Sequence, residues 1–277
     1  MQDLKSLNDQ NDFKSLERSK VSSLEGFRDA YILHLADTTL ILAQRNSECC
    51  AHGPILEQDI AITNISLDLL GQSRNFYQYA ATLINQSTNQ PVTEDNLAYL
   101  RTEREFKNLL ITELPNGDWA QTVLRQYFFS VYQHLLYEQL EKSNDEQLSG
   151  IAAKALKEIN YHIRWSSEWV IRLGDGTDES NKRMKNAIQA IWEYTGEFFM
   201  PADYEKICFE KGSGPDVRLL KEKWLQRINE TLQEATLTTP GNIFMQSGGK
   251  QGIHTEHLGF ILAEMQSLQR TYPGAEW

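Results

Sequence analysis

Three observations predict an all-α chain. Apolar residues recur with helical spacing through segments long enough to span a domain. Clusters of turn residues (Gly53-Pro54, Pro115-Asn116-Gly117-Asp118 and Gly174-Asp175-Gly176) mark the breaks between those segments. No stretch alternates apolar and polar residues as a half-buried strand would.

Residues 1–22 are polar and nearly free of large apolar side chains, too few to offset the entropy of ordering, and are expected to form a disordered tail. The rest, 23–277, is expected to be one helical domain. From Leu24 to Glu48, Phe27, Ile32, Leu35, Leu40, Ile41 and Leu42 recur at helical intervals with no proline to interrupt them. Gly53-Pro54 then punctuates, with Pro54 suited to a first helical turn, and 55–86 reads as a second long helix closing an antiparallel hairpin. A shorter helix is expected from Thr93, as N-cap, to about Leu110. Asp118 should cap a third long helix running to about Lys142, and SNDEQ (143–147) separates it from a fourth over 145–173. Together these make a second hairpin. Further helices are expected at 177–198, 201–211 and 215–235, then a glycine-bearing loop and a last helix over 254–270.

Composition narrows function by exclusion. With 27 basic against 38 acidic residues the net charge is −11, which repels phosphate backbones and anionic membranes. Nucleic-acid and membrane roles are therefore not expected, and no apolar run nears the ~20 residues that span a bilayer. Cys49, Cys50 and Cys208 make neither a disulfide framework nor a zinc spacing, and no hydrophobic signal region follows Met1, so a reduced, cytoplasmic protein is expected.

The chemistry-bearing pattern lies on the long helices. Di-iron bundles draw a Glu from each of two helices and Glu-x-x-His from each of two others, because the cations want carboxylates and imidazoles converging between helices. In LDLLGQ (67–72) and KEINYH (157–162), Asp68 and Glu158 fill carboxylate positions, but Gly71 and Tyr161 stand where histidine should follow. Asp37 and Asp68 are equally far from the first turn, and Glu138 and Glu158 from the second, so four carboxylates are expected to converge. Asn64, Asp68, Gly71 and Asn75 form a polar stripe expected to face inward. His162, four residues past Glu158, would allow a mononuclear site with Glu158 and Glu138; the favoured alternative is a hydrogen-bonded interior network with no metal. His34 and His134 lie near the same levels. HTEH (254–257) is read as helix capping and packing, and SGGK (247–250) lacks the spacing of a phosphate loop. Tyr127, Phe128, Tyr132, Trp165 and Trp169 are read as core or as contacts between subunits.

SECCAHGPILEQDIAITNISLDLLGQSRNFYQYAA (47–81), KEINYHIRWSSEWVIRLGDGTDES (157–180) and HTEHLGFILAEMQSLQRTYPGAEW (254–277) closely resemble the C-subunit family of bacterial phenylacetyl-CoA epoxidases, and the resemblance runs from about residue 30 to the C-terminus. It implies a ferritin-like helical bundle and a non-catalytic structural subunit that supports a homologous A subunit, which carries the di-iron centre and the CoA-thioester substrate. The complex it implies uses FAD, an iron–sulfur centre and NADPH on other subunits for O2-dependent ring epoxidation in phenylacetate breakdown. No catalytic, cofactor-binding or metal-binding residue carries over. Asp37, Asp68, Glu138, Glu158 and His162 are expected to be vestigial metal positions, and both monomer and homodimer stay open for the isolated chain.

Overall fold

A computed structural model describes residues 24–88 and 91–275, so the tail expected at 1–22 lies outside the described residues. Four long helices carry the architecture as two antiparallel hairpins. The first is α1 (Leu24–Ser47) with α2 (Leu56–Ser87); after the short α3 (Glu94–Tyr99) comes the second, α4 (Trp119–Leu140) with α5 (Glu146–Gly174). Caps set the starts of the second pair. The Asp118 carboxylate accepts from Gln121 N at 3.1 Å, and that of Asp145 from Gln147 N and Leu148 N at 3.1 Å each. Pro54 falls before the first turn of α2, not within it. The turn extends to Ile55 because Ala51 adopts a left-handed φ of 68° and the Asp59 side chain turns back to accept from Gly53 N at 2.8 Å.

The hairpins meet over an apolar interior. Along α5, Leu148, Ile151, Ala155, Ile159, His162, Ser166 and Val170 form one buried stripe at three- and four-residue steps. Helix α4 is enclosed on all sides, every residue from Thr122 to Tyr137 being buried. Around this pair lie α6 (Asp178–Ile191), α7 (Asp203–Glu210), α8 (Lys221–Glu234), α9 (Glu256–Met265) and α10 (Ser267–Thr271). The aromatic residues of α4 are core. Tyr132 stacks on Phe198 with centroids 4.4 Å apart, and Trp224 packs edgewise on Phe128, Phe198 and Phe199 while its indole N–H reaches Phe128 O at 3.0 Å. Trp165 and Trp169 both donate to Gln58 Oε1, tying α5 to the start of α2.

The largest departure from expectation is the helix placed over 93–110. Thr93 caps it as expected, with a reciprocal bond from Asn96, but the helix ends at Tyr99. The chain from Leu100 to Leu114 then runs as irregular backbone with two 3-10 turns, Glu103–Glu105 and Leu110–Glu113. Buried irregular backbone must find partners for its N–H groups, and here side chains from distant elements supply them. Lys107 N donates to Asp37 at 2.8 Å, Leu109 N to Thr38 Oγ1 at 3.3 Å and Leu110 N to Glu197 at 2.7 Å. The later helices are shortened for related reasons. Trp192–Phe199 tightens to a 3-10 turn that aims Glu197 at Leu110 N and Gly248 N, and the last helix divides at Gln266, whose amide donates to Ala98 O and Arg101 O.

Candidate functional site

Each residue singled out from the sequence has a definite place, and they do not share one site. The α1 residue Asp37 is fully buried. It accepts from Tyr77 OH at 2.5 Å, from both terminal nitrogens of Arg101 and from Lys107 N at 2.8 Å, which saturates its lone pairs. Burial, then the Asp37 charge, pushes the Tyr77 phenol well above its ordinary range, so it stays a donor. Burial alone would lower Arg101; the adjacent Asp37 charge outweighs it and holds the guanidinium protonated.

The other three carboxylates sit on the rim. Asp68 has a side chain 34% exposed, with Oδ2 3.0 Å from Nε2 of the fully buried His162. Glu158, half-buried on α5, accepts from Gln72 Nε2 at 2.9 Å. Glu138 is 42% exposed and its nearest basic atom is His134 Nδ1, 3.7 Å away on the same helix. Burial pulls the His134 pKa below its ordinary value while Glu138 opposes the shift. The stripe Asn64, Asp68, Gly71 and Asn75, expected to face inward, instead runs from half-buried to exposed; the inward face of α2 is Ile65, Leu69, Gln72, Ser73, Phe76 and Tyr77.

Amides, not carboxylates, occupy the interior between the hairpins. Gln133 Nε2 on α4 donates to Gln72 Oε1 on α2 at 2.8 Å, and Gln72 passes its own N–H to Glu158 on α5. A second crossing joins Asn46 Nδ2 on α1 to Gln126 Oε1 on α4 at 2.7 Å, and Gln126 donates on to Ser130 Oγ. A cation cage needs several lone pairs aimed at one point, whereas the Gln72 group facing Glu158 is a donor. Among the described residues, no three His, Cys, Asp or Glu side chains come together in a way that would hold a metal ion. The donor set present therefore does not fit a di-iron centre. These four amides escaped the sequence reading; their signal is an amide set within an otherwise apolar helical stripe.

The remaining motifs are structural. Both ring nitrogens of His254 are engaged, Nδ1 with Glu113 Oε1 at 2.6 Å and Nε2 with Phe106 O at 2.9 Å. Burial would lower its pKa, but Glu113 outweighs that and raises it above the ordinary histidine value. Thr255 caps α9 and also donates to Glu113, so HTEH pins the last helices onto the irregular 100–114 segment. Lys250 of SGGK is buried in an ion pair with Glu205 at 2.9 Å and donates to Met200 O at 3.1 Å.

An all-α bundle built from two long antiparallel hairpins is the frame of a ferritin-like helical protein. The chain belongs to the phenylacetic acid catabolic protein family, PaaA_PaaC, whose profile matches residues 26–277. It is 47% identical over 248 residues to the C subunit of 1,2-phenylacetyl-CoA epoxidase from Escherichia coli (strain K12), an alignment covering 90% of this chain and 98% of that protein. Among the described residues, no helix is long and apolar enough to cross a membrane.

Proposed function

We propose that this chain is a C-type structural subunit of a multicomponent phenylacetyl-CoA 1,2-epoxidase, acting in the cytoplasm by protein contact with the homologous catalytic A subunit. On this reading it binds no metal or redox cofactor, and the di-iron, FAD, iron–sulfur and NADPH chemistry belongs to other subunits. Asp37, Asp68, Glu138, Glu158 and His162 are then remnants of a ligand set. The observation that carries the reading is the Gln133–Gln72–Glu158 rung, in which amide donors occupy the space between hairpins where a working centre would gather lone pairs. Extended identity to a protein named as the C subunit of such an epoxidase supports the assignment to the complex.

Elemental analysis of the purified chain after iron-supplemented expression tests it, together with the particle mass. The expected result is iron far below one per chain and no O2 uptake with phenylacetyl-CoA and reductase. Two irons per chain, or turnover by the isolated chain, would overturn the reading. In the reconstituted complex, Glu158→Ala with His162→Ala is expected to retain turnover per folded complex.

A further inference from the structure

The aromatic cluster around Trp224 has an open side. A pocket of about 260 Å³ lies between the 3-10 turn Trp192–Phe199, the start of α8 and the irregular strap 238–247, with Trp192, Phe199, Trp224 and Leu225 among its walls. Its rings are fixed in place. Trp224 lies 5.8 Å from Trp192 and 5.6 Å from Phe199, centroid to centroid, and its indole N–H is held by Phe128 O. The strap supplies a further wall through Met245. Gln246 N donates to Glu193 O at 2.7 Å, which draws the strap onto the turn, and Met245 crosses directly over Gly196. A Cβ on Gly196 would stand 2.6 Å from both Cβ and Cγ of Met245. Gly196 does not have the positive φ that demands glycine, so its missing side chain serves this close approach.

Charge at the mouth is of one sign. Of the residues that line the pocket, Arg218 and Lys221 are the charged ones, and no Asp or Glu stands among them. Arg218 commits Nε and Nη2 to Asp216, whereas Lys221 makes no ion pair among the described residues. On a chain of net charge −11 such a mouth is a local exception. The groove between α2 and α5, by contrast, carries both signs, Asp68 and Glu158 beside Arg74 and Lys154.

We propose that the pocket at Trp224 is a binding site for a small aromatic carboxylate, its ring seated among Trp192, Phe199, Trp224 and Met245 and its carboxylate paired with Lys221 at the mouth. Aromatic walls and a thioether favour a ring over an aliphatic body through edge and sulfur contacts. An apolar pocket with one or two placed charges is the usual form of a small-molecule site. Its volume falls just below the ~300–1,000 Å³ of sites for drug-sized ligands, which suits one ring with a short acid and leaves a nucleotide-bearing thioester outside. The site goes beyond the role proposed above and does not depend on it, because binding is read on the full chain by itself.

Calorimetry with phenylacetate on the full chain tests the site, with phenylacetamide as the probe that lacks the charge and cyclohexylacetate as the probe that lacks the aromatic ring. The expected result is saturable one-site binding with a Kd of roughly 0.1–1 mM. Phenylacetamide is expected to bind about tenfold more weakly or worse, and cyclohexylacetate severalfold more weakly. Lys221 is exposed, so Lys221→Glu should keep the parent's thermal midpoint while weakening phenylacetate binding about tenfold or more. Met245→Ala removes a wall without touching the charged mouth and should weaken binding too. No saturation up to about 5 mM phenylacetate overturns the proposal. So does binding that either variant leaves unchanged, because the acid then sits elsewhere, and so does equal binding of phenylacetamide or cyclohexylacetate.

Discussion

The carboxylates on the rim of the hairpins and those buried in the interior lead different lives. Asp68 and Glu158 are partly exposed, and each holds one side-chain partner, His162 and Gln72 respectively. Asp37, Glu113, Glu197 and Glu205 are buried, and backbone N–H groups are among the donors to each: Lys107, Thr255, Leu110 and Ala202. The first set faces the groove between α2 and α5. The second performs the work that a regular helix does for itself, satisfying donors along a chain that is neither helix nor strand.

Removing a member of the second set should be costly, and the sharpest test is Asp37→Ala. It strands Arg101, the Tyr77 hydroxyl and Lys107 N together, and urea unfolding is expected to show a loss of about 3–5 kcal/mol. A loss below about 1 kcal/mol would erase the distinction between the two sets.

Next in size is an acid effect. Burial lowers His34 to a pKa of about 4, while its unfolded value stays near the ordinary 6.5. Between those values the unfolded chain binds a proton that the folded chain does not, so stability falls as pH drops from about 6.5 to about 4, by roughly 3 kcal/mol in all. In His34→Gln that component should vanish from the pH dependence of urea unfolding. His254 works in the opposite sense. Its folded pKa is raised, so its contribution is complete below the unfolded value and is lost as pH rises through the folded one. The stability difference between the parent and His254→Gln should accordingly be largest in mild acid and shrink toward alkaline pH. Stability should thus decline on both sides, for two different histidines.

Smallest is Glu158→Ala. Its partner Gln72 keeps its bond from Gln133, and unfolding is expected to change by less than about 1 kcal/mol. A large effect would show that the rim carboxylates are as deeply integrated as the buried ones.

The starts of α3, α4 and α9 were legible because caps are local: Thr93, Asp118 and Thr255 each accept from a backbone N–H of their own first turn. The 93–110 segment was not, since helical composition there yields to Asp37, Thr38 and Glu197, which lie far away in sequence. The orientation of α2 was hidden by its own pattern. Leu67 and Leu70 on the outside mimic core residues, so apolar periodicity offered two answers, and the polar residues between them were assigned inward. Nor could spacing reveal the amide crossings, because Gln72 and Gln133 become partners only when the two hairpins dock.

The enclosure of α4 reaches beyond packing. Most helices keep a wet side through which water enters during small fluctuations, but from Thr122 to Tyr137 this one has none. Its backbone amides should therefore exchange with deuterium only when the whole bundle opens, while those near Leu56 and Ile60 at the start of α2 exchange through local fraying. The middle of α4 would then be the molecule's slowest clock, and peptides from it would report the global stability of this protein in the intact complex without any added probe.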